Sequence, residues 1–373
     1  MPKLDLRALA LLLAIILLGS AINPVRVEAQ QTIIDFTTSQ LNGENLTNPT
    51  SLQFGPDGRL YVSQQNGTIY AYTIERAEAN VYNITNTETI NLVKNFIPNH
   101  DDDGTPNPES KRQVTGIYVA GTGVQPVLYV GSSDSRIGAG GEKGDVDLDT
   151  NSSVISRLTC VGGLGPSGSC NSWDKVDLVR GLPRSEENHS INGLALDADD
   201  NILYVALGGA TNAGAPSNNF ASTTEYAYEA AILSVDLTAI AALPVQQDTT
   251  VYPGYTYKWV LDLPTLDDPT RPNANGIDNP SDPGYDGIDV NDPFGGNDGL
   301  NQAKVTLGSP VQIHSPGWRN VYDLILTYPD GPGTEPRMYA VDNGANPGWG
   351  GTPLARQTTP GKQPLGCVPM NSP

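Results

Sequence analysis

Short runs of alternating or apolar residues recur along the chain, and within each unit a turn rich in Gly, Asp or Pro separates them. Four such units stand at 49–74, 113–133, 190–208 and 317–344, and each has a second strand containing LYV or MYA. The segments PDG and DADDN between strands are typical of hairpin turns. Repeated antiparallel strands with Gly-rich connections indicate β-propeller blades, with a β-sandwich as the alternative. The pattern therefore predicts an all-β fold.

The spacing of these units predicts where the chain leaves the repeat. The LYV-type strands end near 62, 130, 205 and 340, so the first two intervals are about 70 residues and the last is 135. The last interval contains AILSVDL (231–237) and YTYKWVLDLP (255–264), which we interpret as outer strands of one blade. An acidic insertion follows at about 265–305, and its Asp-rich part, 278–299, is either a Ca²⁺ site or a solvated loop.

Composition supports the all-β prediction and narrows the partners. Gly and Pro together make up 70 of 373 residues (40 + 30), whereas charged residues are only 17%. The net charge is −20, from 21 basic and 41 acidic residues. Nucleic acid and anionic lipid are both disfavoured as partners, because each requires clustered basic side chains.

The first 29 residues have the pattern of an export signal. Lys3 and Arg7 precede an apolar run over 8–21, which is shorter than the roughly 20 residues that span a bilayer. Cleavage is predicted after Ala29, or earlier after Ala21, and an uncleaved membrane anchor is the alternative. We therefore expect a secreted, periplasmic or cell-surface protein with no stable membrane span once the signal is removed.

The cysteines fit an oxidising compartment. Cys160 and Cys170 bracket the Gly-rich segment VGGLGPSGS, and no other cysteine or histidine lies close to them in sequence. A disulfide is therefore favoured over a metal site. Cys367 is left over, which suggests a missing partner.

Three histidines and one arginine are the candidates for chemistry. His189 directly precedes the first strand of the third unit, and Arg319 stands in the same place in the fourth. Inner strands and their leading loops line a propeller's channel, so His189 is placed to act as a general base, with a structural histidine as the alternative. Arg319 could stabilise an oxyanion there or form an ordinary ion pair. His100 is interpreted mainly as a solvated loop residue, and His314 as a weaker candidate than His189.

Four stretches, taken in order, resemble a known enzyme family. They are NPTSLQFGPDGRLYVS (48–63), RQVTGIYV with LYVG (112–131), ENHSINGLALDADDNILYVALGG (187–209) and SPGWRNVYDLIL with MYAVDNGANPGWGG (315–351). Together they resemble the soluble quinoprotein glucose/sorbosone dehydrogenases. That resemblance implies a six-bladed propeller that uses pyrroloquinoline quinone (PQQ) and Ca²⁺, with a sugar as substrate and an external electron acceptor.

The resemblance also implies roles for particular residues. His189 falls on the catalytic base, which takes the proton of the sugar's C1 hydroxyl while hydride passes to the quinone. Arg319 falls on the active-site arginine, and Gln113 on a glutamine of the cofactor pocket. Gly344 and Ala345 fall on two residues whose backbone carbonyls bind Ca²⁺. The cofactor performs the hydride chemistry, and the protein aligns it.

The chain also departs from the family pattern. Asn192 replaces a common glycine, Trp318 replaces a histidine before the Arg-Asn pair, and Ala345 replaces a proline. The family's basic residues that bind the quinone carboxylates come in later blades, and nothing after Trp349 resembles another blade. We therefore predict a partial propeller of about four blades over 30–351, an irregular tail over 352–373, and further domains in a longer parent chain.

Two other functions remain open. The altered motifs and the acidic insertion favour a non-catalytic propeller that binds carbohydrate or protein at a cell surface. A lactonase-type hydrolytic propeller is a third reading, but it would require Asp, Glu or Asn ligands at the blade starts, where this chain has His189 and Arg319.

Overall fold

The computed structural model describes residues 36–99, 109–136, 151–185, 189–215, 225–266 and 302–345. The chain divides into two compact units, Met1–Gln40 and Leu41–Pro373. Of the first unit only 36–40 are described, and they form neither helix nor strand. The predicted signal segment, His100, the loop 278–299, the tail 352–373 and Cys367 lie outside the described residues.

The first sheet of the second unit is a meander built from nearby chain. Four antiparallel strands follow each other, and a short strand pairs parallel to the last one. The strands are β1 (Leu41–Asn42), β2 (Pro49–Phe54), β3 (Leu60–Gln64), β4 (Ile69–Glu78) and β5 (Val81–Ile90). Gly58 and Gly67 have φ angles of 78° and 89°, which allows the tight turns on either side of β3. The predicted PDG turn is present between β2 and β3, and a second turn over 65–67 joins β3 to β4.

The second sheet has the same antiparallel core of four strands. It follows the short helix α1 (Leu92–Asn95), and its strands are β6 (Gln113–Gly121), β7 (Pro126–Ser133), β8 (Ser153–Leu164) and β9 (Cys170–Leu182). A disulfide joins Cys160 on β8 to Cys170 on β9, as predicted from the sequence.

The last strand of the third sheet comes after a segment of the chain that pairs with the second sheet. It begins with β10 (Ile191–Asp197), β11 (Ile202–Leu207) and β12 (Ala231–Asp236), and helix α2 (Leu237–Ala241) follows. The chain then forms β13 (Gln246–Tyr252) and β14 (Tyr255–Asp262), the small pair β15 (Thr265–Leu266) and β16 (Gln302–Ala303), and β17 (Val311–Pro316). Strand β17 returns to pair antiparallel with β12 as the fourth strand.

The interpretation of 255–264 as an outer strand of the same blade as 231–237 was wrong. Strand β14 pairs parallel with β9 and therefore extends the second sheet, while β12 belongs to the third. Charged and aromatic side chains hold β14 in place. Arg180 on β9 forms an ion pair with Asp262, and its guanidinium lies 4.3 Å from the ring centroid of Trp259. The pairing thus depends on contacts between distant segments, which strand propensity does not encode.

A buried ion pair lies inside this extended sheet. Lys175 Nζ and Asp177 Oδ1 are 2.6 Å apart, and both side chains are fully buried. Ser156 Oγ donates a hydrogen bond to the same carboxylate oxygen at 2.6 Å. The Tyr257 ring of β14 covers the ammonium group, with 5.1 Å between Nζ and the ring centroid.

The last two described strands, β18 (Val321–Thr327) and β19 (Arg337–Asp342), form an antiparallel hairpin. With the three larger sheets this gives four successive sheet units, so the all-β, propeller-like prediction is confirmed. The described residues do not form a closed ring. The six-bladed type and the boundaries 30–351 stay predictions.

Three apolar clusters lie between consecutive sheets. Tyr61 and Ile69 of the first sheet pack with Val114 of the second. A second cluster includes Ile155 of β8 and Leu203 of β11. A third includes residues of the third sheet and of β18–β19. The sheets therefore follow one another face to face, with β2, β6, β10 and β18 as neighbouring inner strands.

The inner strands are joined through side chains rather than through a backbone ladder. Thr50 Oγ1 donates to Val114 O at 2.7 Å, and Val119 N donates to Gln53 Oε1 at 2.7 Å. Thr115 Oγ1 donates to the carbonyl oxygen of Ile191. A β-carbon at Gly116 would overlap the Asn192 carbonyl, so glycine permits this close approach.

The two end sheets expose apolar side chains. Leu52 and Phe54 on β2 are 67% and 62% exposed. Ile325 on β18 and Tyr339 and Val341 on β19 are also more than half exposed. Clustered apolar exposure of this kind marks faces that pack against something else.

Removing the disulfide should weaken the fold measurably. We expect Cys160→Ala/Cys170→Ala to lower the free energy of unfolding by about 2–3 kcal/mol, because the bond closes a loop of roughly ten residues in the unfolded chain. Urea denaturation of the double variant and of the reduced unaltered protein checks this, with Cys367→Ala as the control for loss of a cysteine. Equal midpoints for all forms would contradict the prediction.

Candidate functional site

The predicted site residues stand at the beginnings of three neighbouring inner strands. Gln113 is the first residue of β6, and His189 and Arg319 each lie two residues before β10 and β18. Contacts between these strands advance in step. Thr115 meets Ile191 and Gly116 lies against Asn192, while Asn192 meets Val321 and Gly193 lies against Asp323. The strands therefore run in the same direction and present their leading ends on the same side.

His189 is buried and held in one tautomer. Its side chain lies 2.7 Å from a backbone carbonyl, measured from Nδ1 to Gly209 O, and the residue is 1% exposed. A carbonyl can only accept, so Nδ1 carries the proton and the neutral ring has its lone pair on Nε2. Burial lowers the pKa of His189 to about 4; the Gly209 hydrogen bond opposes this, whereas the charge of Arg319 adds to it. The imidazole is therefore a neutral proton acceptor at neutral pH.

Hydrogen bonds from its guanidinium fix Arg319 in place. Nε donates to Asn212 Oδ1 at 3.0 Å, and Nη1 donates to Asn343 O at 2.9 Å. Its own carbonyl oxygen accepts from Gly209 N at 2.9 Å. Gly209 thus contacts Arg319 through its amide and His189 through its carbonyl, and so joins the two residues that the sequence singled out.

Two asparagines, Asn192 and Asn320, join the inner strands β10 and β18 next to His189 and Arg319. Asn192 Nδ2 donates to Asn320 Oδ1 at 2.8 Å and to Val321 O at 2.9 Å. The backbone amide of Asn320 donates to Asp342 Oδ1 at 2.8 Å. Asn192, which departs from the family's glycine, therefore ties β10 to β18 and holds the two strand starts together.

Sequence reasoning missed a buried arginine close to His189 in the chain. Arg184 is 1% exposed, and its Nη2 donates to the carbonyl oxygen of Arg136. Its Nε and Nη1 atoms, and the buried Ser190 hydroxyl, have no hydrogen-bond partner in the described part of the chain. Buried donors of this kind fit an anionic or carbonyl-bearing ligand. The sequence feature that could have indicated Arg184 is its position, since a basic residue lies five positions before the predicted base His189.

The remaining candidates are His314, Gly344 and Ala345. His314 lies away from His189 and Arg319, and the structure shows no metal site at the described residues Gly344 and Ala345. His314 is on the outer strand β17, where its ring packs edge-on against Tyr204 with 4.8 Å between centroids. Gly344 is exposed and Ala345 is partly buried. Within the described residues, no group of three or more His, Cys, Asp or Glu side chains could hold a metal ion.

A cavity of about 320 Å³ opens farther along the same inner strands. Its lining includes Gln53 of β2, Tyr118 of β6, Leu194 of β10 and Asp323 of β18. Tyr118, Leu194 and Asp323 follow Gln113, His189 and Arg319 along the same three strands, so the cavity lies toward the other end of those strands. It combines polar and apolar side chains, as ligand sites do.

Comparison with known proteins leaves the family open. No model of a known protein family and no curated protein matches the sequence. Among the solved structures that match are two titled calcium and iodide structures of Trichoderma reesei Carbohydrate-Active Enzymes Family AA12, each at 16% identity. Their TM-scores are 0.33 and 0.32, and the matches cover 53% and 54% of this chain. The matched region is only 37% and 38% of those chains, and a likeness this low carries no argument about activity.

No helix among the described residues is both long and apolar enough to cross a membrane.

Proposed function

We propose that this chain forms part of an exported, PQQ- and Ca²⁺-dependent sugar dehydrogenase that oxidises the C1 hydroxyl of an aldose. The observation that carries the proposal is His189, which is buried and neutral and donates from Nδ1, so that Nε2 can accept a proton. Arg319 lies beside it as a fixed positive charge. A neutral base next to a cation suits a reaction in which a hydroxyl loses its proton as negative charge develops nearby.

The protein's own groups have separate tasks in this proposal. His189 Nε2 would take the proton of the C1 hydroxyl as that carbon is oxidised, so that the aldose would become a lactone. Arg319 stabilises the negative charge that develops in the transition state. The bound quinone would supply the hydride acceptor, and an external acceptor would later take the electrons. Gln113, at the start of β6, would line the cofactor pocket.

The described residues fit the quinone better than they fit the metal. PQQ is polyanionic. The buried donors of Arg184 and Ser190 that have no partner in the described part of the chain are of the kind that bind carboxylate or carbonyl oxygens. For Ca²⁺ the described chain offers the exposed Gly344 and the partly buried Ala345, and no acidic cluster accompanies them. Two carbonyls alone are far from the six to eight oxygen ligands of Ca²⁺, so no step is assigned to the ion.

Further sheets supplied by the same polypeptide would complete the site. This part of the proposal is supported by the apolar side chains exposed on both end sheets, such as Phe54 on β2 and Val341 on β19. Additional blades would cover both faces and could bring further basic residues to the cofactor.

The test uses the complete gene product that contains this chain. Purified protein is incubated with PQQ and Ca²⁺, then with a panel of aldoses and an artificial dye as electron acceptor. We expect aldose-dependent dye reduction that requires PQQ, and a quinone absorbance change on binding. Protein that neither binds PQQ at micromolar concentration nor reduces dye would contradict the proposal.

A second function is favoured by the cavity between the inner strands. Its mixed lining could bind a carbohydrate or peptide segment without any chemistry at His189. A non-catalytic surface propeller would bind glycans in an array or by calorimetry, and Asp323→Ala in the cavity would weaken that binding whereas His189→Ala would not.

A further inference from the structure

One short segment connects the two residues of the candidate site. The residues 209–212 contact His189 through the Gly209 carbonyl and Arg319 through both the Gly209 amide and the Asn212 side chain. Ser185 Oγ also donates to the Gly209 carbonyl at 3.0 Å. Any movement of the 209–212 segment would therefore change the hydrogen bonds of the base and of the arginine together.

The half-buried carboxylate of Glu225 packs against this segment and fixes it. Glu225 accepts a hydrogen bond from Ala210 N at 2.7 Å through Oε1, and one from the Thr211 hydroxyl through Oε2. A side chain at Gly209 would collide with the same carboxylate, so the backbone lies directly against it. The Thr211 hydroxyl in turn accepts from Gly214 N at 2.8 Å. Both oxygens of Glu225 are thus used to fix the backbone between the contacts to His189 and Arg319.

A second acid, Glu229, lies close to Glu225. Glu229 is buried, and its Oε2 accepts from Tyr226 N at 2.8 Å. Burial raises the pKa of both acids. For Glu229 the nearby charge of Glu225 adds to the rise and the pKa is about 8, whereas for Glu225 the donors from Thr211 and Ala210 oppose the rise. Glu229 therefore holds its proton at neutral pH, and the geometry uses both oxygens of Glu225 as acceptors.

We propose that Glu225 is a positioning residue, which holds the 209–212 segment so that Gly209 keeps His189 protonated on Nδ1 and Asn212 keeps Arg319 in place. It does not touch the reacting groups. The inference deepens the proposed function, because base catalysis by His189 requires the lone pair on Nε2. The contacts on which it rests do not depend on that function.

The test compares variants by the state of the His189 ring. Glu225→Ala removes both acceptors. Thr211→Val removes the hydroxyl, and with it the donor to Glu225 and the acceptor for Gly214 N, while keeping the side-chain shape, which provides a milder variant should the first not fold. Glu229→Gln is the matched control, since the amide imitates the neutral acid and keeps an acceptor oxygen for Tyr226 N. The chain has three histidines, so ¹⁵N-histidine labelling and a His189→Ala spectrum identify the ring signals of His189.

In the unaltered protein and in Glu229→Gln we expect ¹⁵N shifts of a single tautomer, with the proton on Nδ1. In Glu225→Ala, and to a smaller extent in Thr211→Val, we expect a mixture of tautomers. With PQQ, Ca²⁺ and aldose present, kcat should fall about 10- to 100-fold in Glu225→Ala while KM changes little, as for other residues that orient a functional group.

Unchanged ring signals in both Glu225→Ala and Thr211→Val would overturn the inference, as would an equal change in Glu229→Gln. Failure of the proposed function gives a different result. In that case the unaltered protein shows no sugar oxidation, and the tautomer measurement still decides the role of Glu225.

Discussion

Replacing His189 by alanine will lower kcat for aldose oxidation by about 10²–10⁴-fold, the usual contribution of a general base. The imidazole is the group that Gly209 orients with Nε2 as acceptor, and alanine leaves nothing to receive the hydroxyl proton. PQQ binding should be nearly unchanged, because the buried donors that fit the cofactor belong to other residues. Steady-state dye reduction and quinone absorbance measure the two quantities in one preparation.

His314→Ala is the matched control, because it removes the same residue type from the outer strand β17. It should leave kcat unchanged. The pH profile provides a second check. Since burial lowers the pKa of His189 to about 4, the base stays neutral in mild acid, and kcat/KM should fall only near pH 4 and not near 6.5. Equal activity of His189→Ala and unaltered protein would remove His189 from the mechanism.

Breaking the buried ion pair of the second sheet will have the largest effect on stability. Lys175→Met leaves the fully buried Asp177 carboxylate without its cation, and we expect the free energy of unfolding to fall by about 3–5 kcal/mol. The cost arises from the uncompensated charge rather than from lost packing, because methionine fills much of the same volume. Chemical denaturation followed by tryptophan fluorescence measures it.

Two further variants test whether the loss of stability comes from the uncompensated buried charge or would follow any substitution in the second sheet. Lys258→Met removes an ion pair with Asp174 in the same sheet, but both of those side chains are partly exposed, so the loss should be only about 0–1 kcal/mol. Lys175→Met/Asp177→Leu removes both buried charges and should recover most of the stability. If all three variants lose the same amount, burial of the charge is not the cause.

The hairpins were predictable from the sequence because their signals are local. Alternation defines each strand, and turn residues such as Gly58 define where it reverses. Strand β14 was assigned to the wrong sheet for the opposite reason. Its partner β9 is far away in sequence, and the contacts that select it, such as Arg180 with Asp262, are visible only in three dimensions.

In the candidate site, too, local features were predictable from the sequence and long-range contacts were not. His189 and Arg319 were predicted because each stands before an inner strand, a position that the repeat makes recognisable. Gly209 and Glu225 were not, because their roles rest on a backbone carbonyl and on the packing of two loops, for which residue type gives no signal. The sequence therefore predicted two candidate reactive groups and missed the residues that orient them.

The exchange of strands between the second and third sheets makes them interlaced. A hydrogen bond joins Arg180 to Asp262 in the second sheet, 82 residues apart in sequence. Another joins Ser234 to Gln312 in the third sheet, 78 residues apart, and the two sequence spans overlap. During synthesis, β9 has an unpaired edge until β14 is made, and β12 has an unpaired edge until β17 is made. Long closures of this kind are slow to form, and open edges invite pairing with other chains. The two sheets should therefore fold and open as one cooperative body, whereas the local first sheet can exchange its amide hydrogens on its own.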